Sequence, residues 1–300
     1  MINSDPPPEN QKYLRILLAN CIAAVVLLHS GATASNGDEL LTEKQLTDER
    51  PQQVGESIKI ANGSMVVVRQ PNAAKSSNQI MIHFHGATET TRRALARSQY
   101  RGTLVIVNFP GLSSAYSKPF IDNPKLIQTI IQHATETDKD TTQTQPPKII
   151  LSSFSAGYGA IREILKSPES FERIEAIVTA DSIYAGLDTE TPARVVSRED
   201  MPEFLRFAEL AAKGKKQFVL SHSAQTTPYA STTETADYLL ETLQITRVAD
   251  STTQRPLFTL TSKAQQGKFT VLGFSGETGQ HHMQHLHQID LLWSSLDGFE

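Results

Sequence analysis

The sequence predicts an α/β fold: a mostly parallel, twisted sheet of about eight strands, with helices on both faces and an antiparallel hairpin at its leading edge. Three observations carry this reading. From Ser57 onward, short β-branched runs alternate with stretches of helical periodicity. Most of the runs are apolar throughout, as strands buried on both faces must be. Only the first run is split by a turn signal, Asn62-Gly63, which folds it into a hairpin.

The elements follow in order. Residues 57–70 (SIKIANGSMVVVRQ) supply the hairpin, and 79–84 (QIMIHF) the next strand. Residues 89–98 (ETTRRALARS) are read as a helix and 103–109 (TLVIVNF) as a strand. In 124–136, Leu126, Ile127, Ile130 and Ile131 form the apolar face of a helix. A strand at 148–154 (KIILSSF) runs into a helix at 156–166. Strands at 174–180, 216–222 and 267–274 alternate with helices at 202–214, ending at Gly214, and 232–244. Residues 282–296 close the chain as a helix. The polar stretch 135–147 is a loop within this rhythm, and the segment 182–201 is read as a cap.

The N-terminal segment stands apart. Lys12 and Arg15 precede an apolar run from Ile16 to Leu28, followed by Ala32-Thr33-Ala34. Basic, apolar, then small-x-small is the order of a secretory signal, so residues 1–34 are assigned to a signal peptide and the protein to an exported compartment, periplasmic or extracellular. The run is short for a membrane span, and retention as an uncleaved anchor is the alternative, the one case in which membrane association is expected. Residues 35–56 are polar and aperiodic and are read as a linker, leaving 57–300 as the folded domain. Cys21, the only cysteine, falls within the signal, so the mature chain would have no disulfide, thiol nucleophile or cysteine metal site. A net charge of −4 without a dense basic patch excludes nucleic acid as an expected partner.

In parallel sheets, ligands bind beyond the carboxyl ends of the strands. The residues there are His85-Gly86-Ala87, Ser155, Asp181 and His222, and after the last strand the run GETGQHHMQHLH. A hydroxyl, a carboxylate and an imidazole thus occur on one rim in the chain order Ser, Asp, His. Ser153-Phe154-Ser155-Ala156-Gly157 lies between a strand and a helix.

This domain resembles the α/β-hydrolases. The stretch 153–157 is similar to the family's G-x-S-x-G nucleophile elbow, with Ser153 replacing the first glycine. The resemblance implies that Ser155 is a nucleophile on a strained turn, with the Ala156 amide as one oxyanion donor. His85-Gly86-Ala87 resembles the family's His-Gly loop and implies Ala87 as the second donor. The base belongs just before the last helix, where His282 is preferred, with His281 and His285 as alternatives. Asp181 takes the place of the acid, because residues 222–232 hold no carboxylate. The implied activity is serine-dependent hydrolysis of a small-molecule acyl substrate, carboxylic esters foremost, in carboxylesterase or lipase-like manner, with no cofactor and no metal.

Two other classes compete. A catalytically inactive fold of this kind would serve as a binding protein. Alternatively, His83, His85 and the histidines of 281–287 would ligate zinc in a metallohydrolase, although no H-E-x-x-H pattern supports it.

Overall fold

The computed structural model describes residues 52–69, 78–136 and 145–298. The proposed signal peptide lies outside the described residues, as does the linker up to residue 51.

The chain runs through β1 (Gln53–Val54), β2 (Ile58–Ile60), β3 (Gly63–Arg69), β4 (Gln79–Phe84), α1 (Thr88–Arg97), β5 (Thr103–Asn108), α2 (Ser113–Asp122) and α3 (Leu126–Glu136). It continues through β6 (Lys148–Phe154), a 3₁₀ turn (Ser155–Gly157), α4 (Tyr158–Lys166), α5 (Pro168–Arg173) and β7 (Ile174–Ala180). Then come α6 (Pro202–Ala212), β8 (Gln217–His222), α7 (Thr232–Leu243), β9 (Val248–Ala249), β10 (Gln254–Arg255), β11 (Phe258–Gln266) and β12 (Phe269–Phe274). Two helices, α8 (Gly279–His287) and α9 (Ile289–Trp293), close it.

Among the described residues these strands form one sheet in the order β1-β3-β5-β4-β6-β7-β8-β12-β11-β10. The stretch β5-β4-β6-β7-β8-β12 is parallel, and both ends are antiparallel. Side-chain alternation divides each central strand between two cores. Ile149 and Leu151 of β6 pack on one face, and Ile150 and Phe154 on the other. Helices α2 to α7 cover the first face; α1, α8 and α9 cover the second, where Leu286, Leu292 and Trp293 are buried. The apolar runs are thus two-faced burial read directly in sequence.

Several expectations need adjustment. The sheet already begins at Gln53, inside the segment read as linker, and Gln53 and Val54 pair with Arg69 and Val68. The first hairpin turns at Ala61-Asn62, one residue early, with Ala61 at φ 45°. Gly63 instead sits in β3, where a Cβ would approach the Asn108 carbonyl oxygen to 2.3 Å, so its need for glycine is close packing rather than turning. The strand at 267–274 is the second arm of a β11–β12 hairpin turning at Gly267. The segment 182–201 forms no α-helix; Arg194 ties it to Glu234 and to the carbonyls of Thr227 and Tyr229.

Candidate active site

Three neighbouring strands, β4, β6 and β7, are each followed directly by a non-glycine residue at positive φ. These are His85 (69°), Ser155 (48°) and Asp181 (45°). Such conformations are unfavourable and persist only where surrounding contacts hold them; they concentrate at functional sites.

At Ser155, strand β6 stops and the 3₁₀ turn leads into α4, leaving the side chain half-buried at the rim. A Cβ at Gly157 would meet the Phe84 carbonyl oxygen at 2.1 Å, so the turn passes too close to the end of β4 for any other residue. Ser153, in place of the elbow's first glycine, is fully buried with Oγ 2.7 Å from Ser182 Oγ. Ser182 donates its proton to the Ser155 carbonyl at 2.8 Å, so Ser153 must be the donor to Ser182.

Asp181 is completely buried. Its Oδ1 accepts the Ser223 amide at 2.9 Å and the Thr232 hydroxyl; its Oδ2 accepts His282 Nδ1–H at 2.7 Å. Burial alone would raise its pKa. The His285 and His282 imidazoles, with the hydrogen bonds from His282 and Thr232, outweigh this and hold it well below the usual carboxylate range. An ionised carboxylate only accepts, so Nδ1 of His282 carries the proton and the Nε2 lone pair is left to act as a base.

His282 lies in the first turn of α8, which starts at Gly279, three residues before the expected start of the closing helix. Its ring stacks on Phe154, centroids 4.6 Å apart, immediately before Ser155. Ser155 Oγ itself makes no hydrogen bond to His282 among the described residues; in unliganded sites such contacts are often long and tighten with substrate.

The other histidines are committed elsewhere. His281 Nδ1 lies 2.7 Å from Thr278 Oγ1 at the surface. His285 is buried edge-on against the stacked rings of Phe258 and Phe274, its Nδ1 2.8 Å from Ser221 Oγ; burial lowers its pKa to about 4. Arg247 donates to His222 Nε2 at 2.6 Å, so that ring is neutral, and burial followed by the Arg247 charge lowers its pKa. Among the described residues no three His, Cys, Asp or Glu side chains gather where they could hold a metal ion. No described helix is long and apolar enough to cross a membrane.

The Ala87 residue precedes α1, at the mouth of a cavity of about 480 Å³. His85, Asn108, Tyr116, Phe109, Phe154 and Met283 contribute to its walls. The Gly86 amide is bound to Asn108 Oδ1, 3.1 Å away, while among the described residues no such bond occupies the Ala87 amide. Sequence reasoning passed over Asn108 and Tyr116. Asn108 carried one signal, its place at the end of β5; Tyr116, inside α2, carried none.

Strand order, the turn at Ser155 and the helices on both faces together are those of the α/β-hydrolase fold. No protein-family model and no curated protein matches the sequence. Solved structures resemble it distantly. A zinc-bound cold-adapted esterase from an Arctic intertidal metagenomic library is 12% identical, with TM-score 0.41, over 86% of this chain and 99% of its own. A Rhizomucor miehei esterase is 12% identical, TM-score 0.43, over 84% of each chain. An S-formylglutathione hydrolase from Agrobacterium tumefaciens is 13% identical, TM-score 0.42, over 81% of this chain and 94% of its own. These values are too low to bear on chemistry, and the fold assignment rests on the topology.

Proposed function

We propose that the protein is an exported serine hydrolase that cleaves carboxylic esters of small molecules through an acyl-enzyme. The observation that carries this reading is the 2.7 Å Asp181–His282 pair, whose imidazole lies on Phe154, next to a serine held at positive φ. Ser155 Oγ attacks the carbonyl carbon while its proton passes to His282 Nε2. The Ala87 and Ala156 amides take the charge that develops on the carbonyl oxygen. His282 then returns the proton to the departing alkoxide. Water, deprotonated by the same nitrogen, attacks the acyl-enzyme and releases the acid, restoring Ser155. Asp181 holds the tautomer and stabilises the imidazolium. The adjoining cavity, at about 480 Å³, suits a small substrate, and its mixed walls suit an ester rather than a long alkyl chain. Export is supported by the order of charge, apolarity and small residues in 1–34.

The test is a fluorophosphonate probe combined with hydrolysis of p-nitrophenyl esters of increasing chain length. The wild type should be labelled once and should turn over the short esters. Ser155→Ala should lose labelling and about a million-fold of turnover while remaining folded. Unlabelled wild type, or full turnover by Ser155→Ala, would mean a binding protein or another nucleophile.

A further inference from the structure

We infer that Asn108, at the end of β5, is a positioning residue that aims the Ala87 amide into the oxyanion site, with His83 as a second hold on the same loop. The inference rests on the serine-hydrolase reading above.

The loop after β4 is strained: His85 has φ 69° and Gly86 φ 152°. A conformation of this kind relaxes unless several contacts fix it. Asn108 makes two of them. Its Oδ1 accepts the Gly86 amide at 3.1 Å, and its Nδ2 donates to the Gly86 carbonyl at 3.0 Å. One side-chain amide thus engages both polar groups of Gly86, as a neighbouring strand would. The second bond matters most. The Gly86 carbonyl and the Ala87 N–H belong to one planar trans peptide and point in opposite directions. Fixing the carbonyl therefore fixes where the Ala87 N–H points.

His83 holds the preceding peptide. Its Nε2 donates to the His85 carbonyl at 3.0 Å, and its Nδ1 accepts from Ser152 Oγ at 2.9 Å. Ser152 in turn accepts Trp293 Nε1–H at 2.9 Å. An indole can only donate and a carbonyl can only accept, so every proton in this chain has a forced direction. Burial lowers the His83 pKa to about 3, so the ring stays neutral near pH 7. The hold therefore does not switch with pH.

The experiment measures kcat and KM for p-nitrophenyl acetate in Asn108→Ala and Asn108→Asp, with active sites counted by fluorophosphonate titration. Counting sites removes any contribution from unfolded protein. Removing an oxyanion donor outright costs about 10²–10³ in kcat, so a misaimed one should cost about 100-fold with KM nearly unchanged. Asn108→Asp keeps the acceptor for Gly86 N–H but loses the donor to its carbonyl. Its activity relative to wild type should be lowest at pH 8 and rise toward pH 5, as the carboxyl regains a proton to donate. A purely structural Asn108 would leave kcat per titrated site at the wild-type value in both variants, with no pH trend in the ratio. That result overturns the inference while Ser155→Ala, if inactive, keeps the hydrolase reading intact. Full activity in Ser155→Ala removes both together.

Discussion

Asp181→Asn tests the proposed site most sharply, because it changes one proton position and little else. Asn is isosteric, and its carbonyl oxygen can still accept from the Ser223 amide and the Thr232 hydroxyl. Its NH₂ group then faces His282 Nδ1, where an acceptor stood 2.7 Å away. Two donors cannot share that distance. The imidazole must place its proton on Nε2 instead, so the nitrogen that should take the Ser155 proton is already occupied. The loss expected for a wrong tautomer in such a triad is about 10⁴ in kcat, or about 5.4 kcal/mol of transition-state stabilisation. The assay is kcat for p-nitrophenyl acetate at pH 8, alongside a circular-dichroism melt to show that the fold survives. If Asp181 were only a turn residue, Asn would serve about as well, and the loss would stay below about tenfold. A folded variant with such a small loss would refute the role.

The histidines separate by position. His282→Ala should lose about 10⁴-fold or more in kcat, while His281→Ala, whose ring meets Thr278 at the surface, should stay within a few-fold; the reverse pattern would move the base by one residue. Acid should destabilise the fold. His83 and His285 are fully buried, with pKa values lowered by burial to about 3 and about 4, against an ordinary 6.5. Below pH 6.5 the unfolded chain therefore binds protons that the native state does not. Stability is complete above that pH and falls as pH drops toward 4, by a slope approaching about 3 kcal/mol per pH unit for the two rings. The depressed Asp181 carboxylate adds a loss of the same sign below about pH 4. Urea melts from pH 7 to pH 4.5 check this, and a flat midpoint would show that these rings are not buried neutral.

Much of the fold was legible because two-faced burial leaves long apolar runs, and β4 to β8 were read almost to the residue. What escaped had its signal hidden. Strand β11 buries Phe258, Leu260 and Ala264 but leaves the rest half-buried or exposed, so FTLTSKAQQ reads as loop. Helix α2 is rich in serine and carries Pro119, yet it packs closely against α4 at Gly159. At the candidate site, Ser155 was legible from small residues between a strand and a helix, and Asp181 from its place directly after a strand and the lack of a carboxylate in residues 222–232. The start of α8 was not, because GETGQHH has no apolar period; the true start at Gly279 places His282 and His285 three residues apart on one face, with His285 packed inward. Asn108 and His83 could not be assigned roles from sequence. Their partners are Gly86, His85, Ser152 and Trp293, brought together only by the sheet order and the closing helices.

Ser153 poses the remaining question, since the resembling motif has glycine there and a return to Gly is the obvious substitution. Its hydroxyl donates to Ser182, and Ser182 donates to the carbonyl of Ser155, so a two-link chain braces the strained elbow from behind. In Ser153→Gly, Ser182 still holds the Ser155 carbonyl, and kcat should fall less than about tenfold. Stability should drop by about 2 kcal/mol, from a glycine inside a strand and one lost hydrogen bond. For a domain of this size that is a fall of about 4–8 °C in Tm. Ser182→Ala should do more harm, because it frees the elbow carbonyl and leaves the buried Ser153 hydroxyl without an acceptor. Adding Ser153→Gly to Ser182→Ala then removes the orphaned donor, so the double variant should be no less stable than Ser182→Ala alone. Strict additivity of the two losses in a thermal-melt cycle would show that the hydroxyls act independently and that the chain does not brace the turn.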